Sequence, residues 1–268
     1  MPKKPINLHL SSTGLLDFEQ ENVASLLRDR GWSSLSVHDR IGAAYDFVRN
    51  EILFGYNRTD DRSASAVLRD GFGQCNTKAT LLMALLRGLN VPCRLHGFTI
   101  HKSLQRGIVP ELVYPFAPEN ILHSWVEVQY EGRWINLEGF ILDEPFLNTL
   151  QRTFAKKSEQ LCSYGAGTDC LSNPDIEWAG LDTYVQKTGI NGDLGVFDNP
   201  DGFYAKHRQA FGFLKSVLYQ HIIRLWMNAR VKRIRAGNVP IIPTIDSDTT
   251  IYANPSITRA NAKNSGEF

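Results

Sequence analysis

The sequence has few cysteines, at positions 75, 93, 162 and 170 of 268 residues, and none sits in a CxxC pair. That spacing excludes a standard structural zinc site and leaves unpaired thiols as the default. No D-x-[DN]-x-[DN]-G loop is present, and Asp60-Asp61 is only a short acidic pair. Neither a metal nor a cofactor is expected. No stretch of about 18 uncharged apolar residues occurs, so no transmembrane helix is expected. The best apolar run, LLMALL (81–86), ends at Arg87. The start, MPKKPINLHLSSTG, is basic but lacks an apolar core, so it does not read as a secretory signal, and a cytoplasmic location is expected. Acidic residues are missing from 202–245, where eight Lys and Arg occur; the net charge of +1 hides this asymmetry.

What is present suits an α+β protein. A hydrophobic content of 43% can bury a substantial core. Helices are expected at 16–28 and 37–52, the second with Ile41, Ala44, Tyr45, Phe47 and Val48 at helical spacing. A polar connection, 57–65, leads to a short helix that stops at Gly71. In GFGQCNTKATLLMALLRGLNVPCR (71–94), glycines mark a turn, and a stripe through Cys75, Ala79, Leu82, Leu86 and Leu89 puts one helix face into a core. Strand-like runs follow at 94–101, 124–130 and 133–138, the last two joined by Glu131-Gly132. The stretch 155–200 reads as irregular and the last thirty or so residues as loosely ordered. A basic helix is expected around 204–235, carrying Phe211, Leu214, Val217, Leu218, Ile222, Leu225 and Trp226. Burial of those side chains against the protein is expected to outweigh attraction to an anionic surface. Residues 1–150 are taken as the core with its N-terminal helices and 151–268 as an extension packed on it.

Chemistry concentrates at three positions. The thiolate is the attacking form of cysteine, and a helix N-terminus or a nearby imidazolium favours it. Cys75 follows a Gly-rich turn and opens a helix, although an isolated cysteine is commonly just a small buried apolar group. In HSWVEVQYEGRWINLEGF (123–140), a two-residue turn between Tyr130 and Arg133 gives cross-strand partners whose numbers sum to 263. His123 and Glu138 are then diagonal neighbours on one sheet face, the geometry of a base and its orienting carboxylate. Asn136, on the same face, and Asp143, beyond Gly139, are alternative orienters. The Cys75 N–H is the obvious oxyanion donor, and the Gln74 side-chain amide a second candidate.

At these residues the sequence resembles the transglutaminase-like superfamily. The Cys block, GQCNTKATLLMALLRGLNVPCR (73–94), is similar to the family's G-x-C helix followed by G-I-P-x-R. HSWVEV (123–128) with GRW (132–134) is similar to its H-A-W-V-E-V, Gly turn and W-x-x-x-D. SASAVLRDGFGQC (63–75) also resembles the family's approach to the nucleophile. The resemblance covers roughly 39–143 and implies a papain-like core with a Cys, His and acid triad. The family's third residue is usually Asp, and Glu138 stands there.

That resemblance implies acyl transfer. Cys75 attacks an amide or ester carbonyl, His123 protonates the leaving group, and a thioester passes to water or an amine. Hydrolysis, transamidation and cyclisation stay open. The expected partners are a peptide, protein or small-molecule acyl donor and, for transfer, an amine acceptor. A catalytically silent scaffold, or a membrane-surface adaptor using the basic helix, is the alternative; nucleic acid is not expected, since no reader motif accompanies the charge.

Overall fold

In the computed structural model, residues 7–209, 217–240 and 242 are described. Three helices, α1 (Glu21–Arg30), α2 (Val37–Asn50) and α3 (Ala64–Asp70), pack on a fourth, α4 (Cys75–Gly88). The opposite side of α4 lies on the sheet. Consequently every side chain from Cys75 to Arg87 is buried, not only the expected apolar stripe. The polar members are tolerated because each is bonded. Lys78 Nζ donates to the carbonyls of Arg49 (3.2 Å) and Ile141 (2.9 Å), and Arg87 donates to the carbonyls of Ser11 (2.6 Å) and Cys93 (3.0 Å).

Entry to α4 is set by glycine. Gly71 ends α3 in the left-handed region at φ 71°, its N–H donating to the Val67 carbonyl. Short strands β1 (Leu53–Phe54) and β2 (Phe72–Gly73) then pair in parallel. At Gly73 a Cβ would stand 2.6 Å from Thr77 Oγ1, so any side chain would displace the first turn of α4.

The main sheet is antiparallel throughout. It begins with β3 (Cys93–His101), β4 (Asn120–Tyr130) and β5 (Arg133–Leu137). Val126 faces Leu137 and Glu127 faces Asn136, the expected register. Positive φ at Glu131 (49°) and Gly132 (80°) matches a type I′ hairpin turn. Helix α5 (Glu144–Phe154) follows.

The stretch 155–200 is more ordered than expected. It holds a hairpin of β6 (Leu161–Ser163) and β7 (Ala166–Thr168), then β8 (Ile190–Phe197), which joins β3 and completes the order β5-β4-β3-β8. Two register shifts interrupt the β3–β8 pairing, and β8 is an edge strand in which two glycines, an Asn and an Asp break up the apolar residues. Its alternation was therefore illegible.

The basic helix also departs from expectation. Helix α6 (Pro200–Lys206) ends where His207 turns extended (φ −124°, ψ 121°). From Val217, the next described residue, the chain is helical and passes through a π-helical turn, Tyr219–Ile223, into α7 (Arg224–Arg235). Phe211 and Leu214 lie outside the described residues. Val217, Leu218, Ile222, Leu225 and Trp226 are exposed, not buried, and the packed side chains are Met227, Val231 and Ile234. The π turn's extra residue rotates the following face by roughly 100°. The last thirty residues lie almost wholly outside the described set.

Polar anchors fix α7. Asn228 exchanges two hydrogen bonds with the Tyr56 backbone, at 2.7 and 3.0 Å. Arg235 forks onto the buried Asp143 carboxylate at 2.9 and 2.6 Å. Asp143 also accepts the N–H of Phe54 (2.8 Å) and caps α5 at Phe146. Burial alone would raise this carboxyl, but Arg235 outweighs it and holds it below the usual range. A depressed carboxyl contributes stability above its unfolded value and loses it as pH falls through the folded one. Arg235→Met should cost about 3 kcal/mol at pH 7, because a buried carboxylate loses its partner. The deficit should shrink on acidification into the carboxylate range. Urea unfolding of both forms at the two pH values measures it; an equal deficit at both would show that the ion pair is not its source.

Candidate active site

Cys75 is the first residue of α4, so its N–H and those just after it lack intrahelical acceptors and carry the positive end of the helix dipole. Thr77 Oγ1, two residues on, accepts from Gln74 N–H (3.1 Å) and donates to Asn57 Oδ1 (2.6 Å), which ties the turn to the chain after β1. The residue is 8% exposed, so its sulfur is neither sealed in nor freely solvated.

His123, on β4, is fully buried. Its Nε2 donates to Glu138 Oε1 at 2.7 Å. The second oxygen, Oε2, accepts from the N–H groups of Val185 and Gln186, both at 2.9 Å. Nδ1 has no other hydrogen-bond partner among the described residues. Burial works against the charged ring. Electrostatic attraction by Cys75, followed by Glu138, outweighs burial and raises His123 to about 10. The longer acid is accommodated: Glu138 lies just past β5, reaching the imidazole with one oxygen and two amides with the other.

Asn76 fixes the relation between helix and strand. Its Nδ2 donates to the Leu122 carbonyl (3.1 Å), and its Oδ1 accepts from Ser124 Oγ (2.9 Å). Asn76 follows Cys75, and Leu122 and Ser124 flank His123. Both of its polar ends are therefore spent on holding thiol and imidazole in register. Sequence reasoning missed this residue, and a polar side chain in a helix's first turn gives no sign of burial.

The other expected positions divide. Gln74 lines the cavity beside Cys75; its Oε1 accepts from Asn57 N–H (2.8 Å) and its Nε2 donates to Asp60 (2.8 Å). One amide proton is left for a substrate oxygen. Asn136 shares the sheet face but donates to Asp182 and Tyr184, and Asp143 is engaged by Arg235; neither is brought to His123. Burial raises Asp60 above the ordinary carboxylate range, against hydrogen bonds from Gln74 and Asn76. Tyr204 was also missed. Its hydroxyl is buried without a hydrogen-bond partner among the described residues, and burial keeps it protonated.

A cavity of about 700 Å³ opens beside Cys75. The connection between β3 and β4 lines it, as do Tyr204, Arg208 and Gln209 and, further on, Leu218, Ile223 and Met227. The described residues hold no cluster of three or more His, Cys, Asp or Glu that could bind a metal. No helix among them is long and apolar enough to cross a membrane.

Comparison with known proteins follows the same lines. Residues 30–139 match the core profile of the Transglutaminase-like superfamily. This part of the chain is similar to a transglutaminase-like core. The transglutaminase-like segment runs from the end of α1 to just past Glu138 and so contains all three site residues. A solved structure from Cytophaga hutchinsonii, described as a candidate cysteine protease, is similar at 14% identity with a TM-score of 0.43. That similarity covers 75% of this chain, which spans about half the length of the other (51%). No curated protein matches the chain.

His123 should hold its proton through the neutral range and release it as pH rises toward about 10. In Cys75→Ala the largest raising contribution is gone, and the titration should move to lower pH. Following the His123 ring protons by NMR in both proteins measures this, and coincident titrations would separate the imidazole from the thiol.

Proposed function

We propose that the protein is a cysteine-dependent acyl-transfer enzyme acting on an amide or ester carbonyl through a thioester on Cys75. The observation that carries the reading is the buried His123, bonded through Nε2 to Glu138, with Nδ1 left without a hydrogen-bond partner among the described residues and Cys75 among the causes of its raised pKa. A histidine needed only for packing, on the strand packed against the helix that opens with the thiol, would not require a buried carboxylate partner.

The chemistry follows from these groups. Cys75 sulfur attacks the carbonyl carbon, and the carbon–oxygen double bond opens to an oxyanion. Free N–H groups in the first turn of α4 stabilise that charge, and the remaining Gln74 amide proton can add to them. The bond to the leaving amine or alcohol then breaks, and the departing group takes the proton held by His123. Glu138 keeps the ring oriented and stabilises its charged form. Water or an amine next gives a proton to His123 and attacks the thioester, releasing product and restoring the Cys75 thiolate beside the protonated His123.

Reaction with a panel of amide and ester donors, with and without added amine, tests the reading through product mass and the mass of the Cys75 adduct. An adduct on Cys75 that disappears in His123→Ala is the expected result; turnover that survives Cys75→Ala would end the proposal. Glu138→Gln should slow acylation by about a hundredfold or more. A glutamine must aim an NH2 at either the His123 donor or the two backbone donors. A rate within threefold of the parent would remove Glu138 from the machinery.

A second reading has one observation behind it. Ile222, Leu225 and Trp226 are exposed on a helix that also carries Lys232 and Arg233. This suits a surface that settles on anionic membranes. Salt-sensitive binding to phosphatidylserine vesicles, lost in Trp226→Glu, would support it.

A further inference from the structure

The thiol reading leaves the donor unspecified, and the cavity beside Cys75 narrows it. We propose that this cavity is an acyl-group site taking donors whose carbonyl carries a large, uncharged, apolar chain. The proposal rests on the thiol chemistry above and adds the substrate class.

The arrangement of the walls carries the argument. Beside the nucleophile the lining is polar, with Gln74, Asn57 and the half-buried Asp60 around the start of α4. Elsewhere it is dominated by Leu104, Val109, Ile121, Leu122, Ile223 and Met227, drawn from three parts of the chain. A carbonyl held at Cys75 therefore projects its remaining atoms onto aliphatic surface, where a charge would lose its hydration without compensation. The charged side chains of the lining carry both signs, Asp60 and Asp61 against Arg58 and Arg208, so neither an anionic nor a cationic chain is favoured. The volume is that of a site for a sizeable organic group, not of a slot for a short polar side chain.

The lining also continues outwards. Leu112 (84% exposed), Phe116 (73%) and Leu218 (44%) line the cavity and also reach solvent, so apolar surface extends from Cys75 to the outside. Ile223, Met227 and Leu218 lie outside the matched residues 30–139. The site is thus walled mainly by residues 54–122, within the matched segment, and closed on one side by residues beyond it, among which the exposed Leu218 acquires a role.

The test uses the full chain and the p-nitrophenyl esters of acetate, butyrate, hexanoate and octanoate, reading released nitrophenolate and the mass of acylated Cys75. Each buried methylene should raise kcat/KM about threefold to fourfold until the cavity fills. N-acetylphenylalanine p-nitrophenyl ester, run beside octanoate, tells an apolar peptide side chain from an aliphatic one. Met227→Trp, which fills the cavity, should lower the octanoate-to-acetate ratio at least tenfold. Leu218→Glu alters only the exposed rim and should lower the same ratio, so the test does not depend on whether the tryptophan variant folds. Equal rates across the series, with Cys75 acylated by every ester, would overturn the apolar site and leave the thiol mechanism standing. Failure of every ester to acylate Cys75 would overturn both.

Discussion

The site depends on one buried side chain, Asn76, which bonds to the strand on either side of His123. Helix and strand come from segments about fifty residues apart, and burial by apolar contact alone tolerates small slides between them. Two hydrogen bonds of fixed direction do not. Unmaking either would leave a buried polar atom without a partner, at about 1–3 kcal/mol. The slide that would separate Cys75 from His123 is therefore opposed at the point where it matters. The burial of α4 on all sides gives those bonds a dry environment, in which they are stronger than in water.

Around this fixed contact the charges are arranged in sequence. The N-terminus of α4 stands at the thiol, Glu138 holds the imidazole, and two backbone amides from the segment after β7 complete the acid's shell. Residues beyond 150 thus take part in the site. They supply the amides that hold Glu138, the edge strand β8 and one side of the cavity. Asp143, adjacent in sequence to the acid's turn, serves a different end by anchoring α7 through Arg235.

Much of this was legible in the sequence where geometry is local or periodic. The helix after the Gly-rich turn follows from spacing, and the β4–β5 register follows from a two-residue turn. Together they bring His123 and Glu138 to one sheet face without any knowledge of the fold. Illegible features depended on distant partners. The satisfaction of Lys78 and Arg87 inside the core rests on carbonyls far away in the chain. Strand β8 hides its alternation behind register shifts. The face presented by α7 was misread because a π turn changes phase, which composition does not announce. Asn76 and Tyr204 are ordinary polar residues by sequence and become notable only through burial.

The central claim, that Cys75 is an activated nucleophile, separates cleanly from simple accessibility. Cys75 is buried to 8% exposure, whereas Cys170 is exposed. Burial pushes the Cys93 thiol up to about 11, and burial also raises Cys162. Timed iodoacetamide labelling at neutral pH with peptide mapping therefore gives a direct answer. Cys75 modified first, ahead of the more accessible Cys170, is the predicted result. Cys170 modified first, with Cys75 reacting no faster than an ordinary thiol, would contradict the account.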